Sequence, residues 1–279
     1  MWRRSLAAHP TSEVLSPAEF NKIGELAFRT CGIELKDGKQ QLVQARLGKK
    51  IRQGNFASFD EYYRHVVADA TGLELTALLD ALTTNFTSFL REATHFDFLR
   101  KTILPDLHGG IRVWSAACST GEEPFTIAFS LLEELGMGDA ARIEILASDL
   151  SSRVLETAGR GAYQADRFSG CPKEWLRKYL LRGSERWEGW YRIKPEVRRL
   201  VEFRRINLME TFEPRKRFHV IFCRNVMIYF DKETQAQLVN RLAACLEPGG
   251  YLLIGHSESL TGLAHPYQYI KPAVYRKPS

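Results

Sequence analysis

The sequence predicts an α/β protein built on a parallel sheet, preceded by a small all-α domain and carrying a small antiparallel β insertion. Three observations carry this. From Ser16 to about Phe89, apolar residues recur at helical spacing with no strand pattern between them. From Ile111 onward, short apolar runs alternate with helix patterns. Between residues 160 and 205 the alternation breaks, and 13 Lys+Arg stand against 6 Asp+Glu.

The elements follow in order. Met1–Val14 holds two arginines without a following apolar run, which predicts a short arm rather than a secretory signal. Ser16-Pro17-Ala18-Glu19 is a helix start, with a serine cap, proline in the first turn and glutamate three residues after the cap. Further helices are expected over Lys39–Arg52, Phe59–Val67 and Leu73–Leu82. Strands are expected over Ile111–Ala117, Ile143–Ser148, Phe218–Cys223 and Gly250–Gly255, with helices at Pro124–Leu135, Ser151–Ala158 and Lys232–Leu246. Glu188–Lys194 and Leu200–Ile206 read as antiparallel strands of the insertion, and Tyr267–Tyr275 as a strand at the sheet's edge. These patterns predict an arm over 1–15, a helical domain over 16–90, a linker over 91–110 and an α/β domain over 111–279, with the basic insertion at about 160–205.

Composition narrows the function. The 279 residues are 44% hydrophobic and 26% charged, which is globular and excludes disorder. No apolar run reaches the roughly 18 residues of a spanning helix, so no membrane insertion is expected. Five scattered cysteines predict reduced thiols and a cytoplasmic location. The seven histidines form no pair at metal spacing, so no metal is expected. The net charge of +6 is concentrated in the insertion, and composition leaves open an acidic peptide, an acidic protein face or nucleic acid as its partner.

Four motifs carry chemistry. Val113–Pro124 (VWSAACSTGEEP) runs from strand through small residues into a helix start, the place where α/β sheets bind ligands. It lacks GxGxxG and GxxxxGK[ST]. Glu122 and Glu123 would repel a phosphate there, so a capped helix start or a site for a cationic or neutral ligand remains. Asp149, ending the second strand 28 residues after Gly121, either caps a helix or accepts both hydroxyls of a ribose. Together the two suggest an adenosine ligand without pyrophosphate, such as S-adenosylmethionine. Phe222–Asp231 (FCRNVMIYFD) puts Arg224 and Asn225 at another strand end with Tyr229 near the same rim, and lacks the [ND]PP[YF] of DNA adenine methyltransferases. Thr83–Glu92 (TTNFTSFLRE) gathers four hydroxyl residues, an asparagine and an Arg–Glu pair between the two halves of the chain.

With TTNFTSFLREATHF, SAACSTGEEP, ASDL, INLME, FCRNVMIYFD and GGYLLIGHSE in this order, the sequence resembles chemotaxis receptor glutamate methyltransferases, the CheR family, from about Ser16 to the end. The resemblance implies a Rossmann-like S-adenosylmethionine-dependent methyltransferase domain with a small β-subdomain, following a helical domain. It implies methyl transfer to receptor glutamates, giving γ-methyl esters and S-adenosylhomocysteine, by a cytoplasmic protein recruited to membrane receptors. It places Asn85, Thr87 and Arg91 around the methionine end and the reaction centre. It puts Glu122 against the cofactor, Asp149 on the ribose and Asn207 and Leu208 beside the adenine, with Arg224 and Asn225 closing the pocket. Leu90 replaces a phenylalanine common in the family's TxFFRE motif, which bears on local packing.

A glutamate carboxylate is ionised at neutral pH, so the expected mechanism needs no general base. Arg91 is expected to orient it and Tyr229 to shape the cleft, as the catalytic pair. Lys39, Arg46, Lys49 and Lys50 either form a solvated helix face or meet the acidic methylation region of a receptor. The insertion is a candidate tether for an acidic C-terminal receptor pentapeptide, taken as an added strand. The competing readings are a non-catalytic module binding cofactor and acidic peptides, and a nucleic-acid methyltransferase, which the missing [ND]PP[YF] and the localised charge oppose.

Overall fold

The computed structural model describes residues 14–107 and 109–279. They form two compact units, divided between Thr84 and Asn85. Most of the expected arm lies outside the described residues, but Leu15 does not behave as an arm. It is buried, its N–H donates to Gln44 Oε1 (3.1 Å) and its carbonyl accepts from Gln40 Nε2 (2.7 Å).

The first unit holds α1 (Pro17–Cys31), α2 (Gln40–Gly54), α3 (Phe59–Ala68) and α4 (Leu73–Leu82). The Ser16–Glu19 capping box forms as expected, and Gly32, at φ 75°, closes α1 in the left-handed conformation. Phe20, Ile23, Val43, Leu47, Tyr62, Val66 and Leu78 supply the buried stripes.

The second unit opens with α5 (Thr94–Phe98), which runs on through a π turn (Leu99–Ile103) and a 3-10 turn (Leu104–Asp106). This corrects the expected linker over 91–110. Phe96, Leu99 and Ile103 recur at helical spacing and are buried in the α/β core, so the segment is packed structure. Then follow β1 (Ile111–Ala116), α6 (Glu122–Leu135), β2 (Ile143–Asp149), α7 (Ser152–Arg160), β3 (Ala162–Gln164), α8 (Lys173–Tyr179), β4 (Leu180–Arg182) and β5 (Trp190–Ile193). The chain ends with α9 (Pro195–Arg198), β6 (Val201–Arg205), β7 (Phe218–Cys223), α10 (Lys232–Cys245), β8 (Leu246–Ile254), β9 (Gln268–Lys271) and β10 (Val274–Arg276).

The main sheet has the order β6-β2-β1-β7-β8-β10-β9. The first five strands are parallel, and the β9–β10 hairpin adds antiparallel to β8. The order reverses at β1, which creates a crevice beyond the carboxyl ends of β1 and its neighbours. A separate antiparallel sheet, β3-β5-β4, forms the insertion. Leu200–Ile206, expected in that insertion, belongs to the main sheet instead. Val201–Arg205 pairs parallel with Ile145–Asp149, because the buried Val201 and half-buried Phe203 complete the core facing α6. The insertion is therefore shorter, and its neck is pinned where Ile193 N–H donates to the Gly161 carbonyl (2.8 Å). The expected edge strand over Tyr267–Tyr275 is a two-stranded hairpin.

Aromatic rings join the insertion to the sheet. Phe129 of α6 stacks on Tyr179 at 5.0 Å and meets Trp175 edge-on, while Phe89 stacks on Phe168 at 4.3 Å. Phe129 is 1% exposed. Phe129→Ala is expected to destabilise the fold by about 3–5 kcal/mol, read as a lowered urea midpoint. A loss below about 1 kcal/mol would mean that the rings close over the gap.

Candidate active site

Two loops at the carboxyl ends of β1 and β2 share one carboxylate. Asp149 accepts the Ser119 N–H (2.9 Å) with Oδ2 and the Ser151 N–H (3.0 Å) with Oδ1. The Cys118 N–H donates to the Ser148 carbonyl (2.8 Å), so the β1 loop folds back over β2. This forces Ala117, Ser119 and Gly121 to positive φ (65°, 50° and 95°). At Gly121 a Cβ would lie 2.7 Å from Ala158 Cβ and 2.9 Å from Tyr163 Oη, so the position admits no side chain.

Glu122, the first residue of α6, is 0% exposed. Its carboxylate accepts Thr120 Oγ1–H (2.6 Å) and pairs with the Arg167 guanidinium. Arg167 also donates to the Thr87 carbonyl (3.0 Å). Asn85 and Thr87 line the same crevice, the Asn85 carbonyl accepting from Ser119 Oγ (2.9 Å). Asn207 and Leu208 follow β6 beside Asp149, whose carbonyl accepts the Ile206 N–H (3.1 Å). Asn207 Oδ1 accepts the Met209 N–H (3.0 Å).

Arg224 is turned inward. Its guanidinium, with 2% of the side chain exposed, bonds Glu92 Oε2 (2.9 Å), Glu123 Oε2 (2.8 Å) and the Arg91 carbonyl. Glu123 also accepts Ser115 Oγ–H (2.6 Å). Asn225, at φ 58°, donates Nδ2–H to Glu92 Oε1 (3.4 Å) and its N–H to Glu258 Oε2 (2.9 Å). Arg91 stands between two left-handed residues, Leu90 and Glu92 (both φ 56°), and donates to the Phe86 carbonyl (2.9 Å). Tyr229 is half-buried in the turn after β7.

Electrostatics follow burial. Burial alone would push Glu92 up, but the Arg224 charge and hydrogen bond hold it below its ordinary value. Burial, and then Arg224, push His95 down to about 3, so its 3.6 Å contact with Glu92 is not an ion pair at neutral pH. Burial drives the Cys118 and Cys223 thiols up, so neither is a thiolate nucleophile. Among the described residues, Glu92, His95 and His256 bring ligand atoms within 4.8 Å of one another, but a metal there would share Glu92 with Arg224.

The donor set fits S-adenosylmethionine. A buried carboxylate at a helix start suits a ligand with a cationic end and no phosphate, and Asp149 offers acceptor oxygens two strands from Arg224. Lys39, Arg46, Lys49 and Lys50 belong to the helical unit. Lys39 and Lys49 are exposed, Lys50 is half-exposed, and Arg46 donates to the Leu82 carbonyl and to Thr84 Oγ1 (2.5 Å), which makes it a fastener between α2 and the end of α4.

Residues 85–275 match the family model of the CheR methyltransferase SAM-binding domain, and residues 18–83 match that of the CheR methyltransferase all-alpha domain. The chain belongs to the CheR methyltransferase family. It is 41% identical over 260 residues to chemotaxis protein methyltransferase 2 of Pseudomonas aeruginosa, covering 92% of each chain. It is 40% identical over 262 residues to the chemotaxis protein methyltransferase of Salmonella typhimurium, covering 94% of this chain and 90% of that one. The protein of the same name from Borreliella burgdorferi is 38% identical over 269 residues, covering 93% and 94%. The chain is thus an S-adenosylmethionine-dependent methyltransferase of chemotaxis.

Sequence reasoning missed Arg167, Glu92 and Glu258 as site residues of this CheR chain, and named Glu123 only as a first-turn acid. Glu92 and Glu123 stand inside quoted motifs, where the buried Arg224 between them was the missing partner. Arg167 is one of 13 cations in a basic stretch, and spacing does not single it out.

Burial of His95 gives a pH signature. Below about pH 6.5 the unfolded chain protonates this histidine, whereas the folded chain keeps it neutral down to about 3. Stability is therefore expected to fall as pH drops through that window, by up to about 1.4 kcal/mol per unit from this group. Urea midpoints at pH 7 and 5 measure it. His95→Phe should shrink the difference, and an equal difference in the variant would refute the assignment.

Proposed function

We propose that the chain transfers the methyl group of S-adenosylmethionine to specific glutamate side chains of chemotaxis receptors, giving γ-methyl esters and S-adenosylhomocysteine. The observation that carries the site assignment is the fully buried Glu122 carboxylate at the start of α6, after the β1 loop that Asp149 holds from the end of the adjacent parallel strand β2. Bound there, the cofactor supplies an electrophilic methyl group on a sulfonium.

The chain's own residues then have distinct work. Asp149 accepts the ribose hydroxyls while holding the β1 and β2 loops. Glu122 takes the ammonium of the methionine end, with Asn85 and Thr87 beside it. Asn207 and Leu208 border the adenine. Arg224 and Asn225 close the pocket indirectly, by fixing Arg91 and Glu92. Arg91 orients the incoming glutamate carboxylate and Tyr229 shapes its cleft. The acceptor is ionised at neutral pH, so alignment and exclusion of water are the catalytic task, and positioning of this kind supplies up to about 7–11 kcal/mol.

The acceptor side rests on charge. Lys39, Lys49 and Lys50, with Arg46 behind them, would face the acidic methylation region of a receptor. The short antiparallel sheet would take an acidic C-terminal receptor pentapeptide along an edge strand, with Arg182 and Arg186 meeting its carboxylates. No helix among the described residues is long and apolar enough to cross a membrane, and we place the protein in the cytoplasm, recruited to membrane receptors.

Calorimetric titration with S-adenosylmethionine and S-adenosylhomocysteine, together with transfer of labelled methyl to purified receptor, tests the reading. Micromolar-range binding, lost in a folded Asp149→Ala variant, and base-labile methyl label on receptor are expected. Cofactor binding without transfer to any receptor would favour the non-catalytic module. Arg91→Ala should lower turnover on the order of 10²-fold with little change in cofactor affinity. Equal losses in both would remove its role at the acceptor.

A further inference from the structure

The Glu122–Arg167 ion pair joins the start of α6 to the inserted segment at the crevice, and Lys178–Glu133 (3.1 Å) joins them again near the other end of α6. The Glu122 side chain is 0% exposed and the Arg167 side chain 37% exposed. Arg167 sits in the 3-10 turn Ala165–Phe168, directly after β3. That turn is anchored on both sides of the arginine, by the Ala165 N–H donating to the Gly189 carbonyl (2.9 Å) and by Phe168 stacked on Phe89. Arg167 therefore reaches the crevice from a fixed base, and only its long side chain has to move. Its second acceptor, the Thr87 carbonyl, belongs to the segment assigned to the methionine end.

A fully buried carboxylate has to be paired at every stage of binding. If an ammonium simply displaced Arg167 from Glu122, the guanidinium would lose its partner. The methionine end of the cofactor removes this difficulty, because it carries an ammonium and a carboxylate on one carbon. From this the geometry points to Arg167 as a cofactor-binding residue. The Glu122–Arg167 pair opens to receive the zwitterion, Glu122 taking the ammonium and Arg167 the α-carboxylate as a two-pronged donor. Each charge exchanges one partner for another, and without cofactor the pair closes on itself. The inserted segment is then part of the cofactor site as well as a surface for acidic partners. This rests on the assignment of Glu122 under the proposed function.

The test uses the full chain and three probes. S-adenosylhomocysteine carries both charged groups. Decarboxylated S-adenosylmethionine keeps the ammonium and lacks the carboxylate. 5′-Methylthioadenosine lacks both. Arg167→Ala is expected to weaken S-adenosylhomocysteine on the order of 10- to 100-fold, as for loss of hydrogen bonds to a charged group, with 5′-methylthioadenosine changed by less than about twofold. Decarboxylated S-adenosylmethionine should lose far less than S-adenosylhomocysteine. Arg167→Lys, which keeps the charge beside Glu122 but not the fork, should fall between wild type and Arg167→Ala. Unchanged or tighter binding of S-adenosylhomocysteine by Arg167→Ala would overturn the proposal and leave the pair as a lock. Equal losses for all three probes would overturn it in favour of a structural role. Failure of the wild-type chain to bind any of the three would overturn the Glu122 assignment beneath it, an outcome the variants alone cannot mimic.

Discussion

The crevice depends on one buried cation. Arg224 leaves the end of β7 with almost no exposed side chain and reaches three groups from two other parts of the chain: Glu123 at the start of α6, and Glu92 and the Arg91 carbonyl before α5. Leu90 and Glu92 hold the left-handed conformation that side chains disfavour, and such residues persist where their surroundings over-determine them. Here the surroundings are an ion pair on one side and the Leu90 N–H to Thr126 Oγ1 bond on the other. Removing Arg224 would leave two partly buried carboxylates, Glu92 and Glu123, without their countercharge and release the turn that carries Arg91. The turn that carries Arg91 is thus set by a residue whose own charge faces inward.

The same logic runs through the β1 loop. Asp149 spends part of its carboxylate on backbone N–H groups, which fixes the loop whose residues border the crevice. Rigid positions for the groups around a ligand suit a reaction in which alignment is the main requirement. Of the seven non-glycine residues at positive φ among the described residues of the α/β unit, five (Leu90, Glu92, Ala117, Ser119 and Asn225) lie around the crevice, whereas Glu185 is in the insertion and Ala273 in the β9–β10 turn.

Much of this was legible in the sequence. The helical spacing of Phe20, Ile23 and Ala27 and the alternation of strands with helices after Ile111 are periodic signals, and periodicity survives without knowledge of partners. The ends of strands were legible for the same reason, which is why Glu122, Asp149 and Arg224 could be named from position. Partners were not legible. Val201–Arg205 carries the same local pattern whether it joins β2 or the inserted sheet, and only tertiary pairing decides. Phe96, Leu99 and Ile103 follow a helical period, but the stretch is short and ends at proline, so its packing was hidden. Arg224 read as a pocket residue because nothing local shows that Glu92 and Glu123 converge on it from far along the chain. Arg46 read as a free surface cation for the same reason.

The neck of the insertion has a consequence for how such a protein can diversify. The chain leaves the main fold at Gly161 and returns at Ile193, and these two positions are bonded to one another. A segment whose ends meet can be exchanged for another of different length while β2, α7 and β6 keep their order. Whatever surface the segment presents would then be a graftable trait, moved between chains as a cassette. The graft would not be silent, since every cassette must bring its own cation for the buried Glu122.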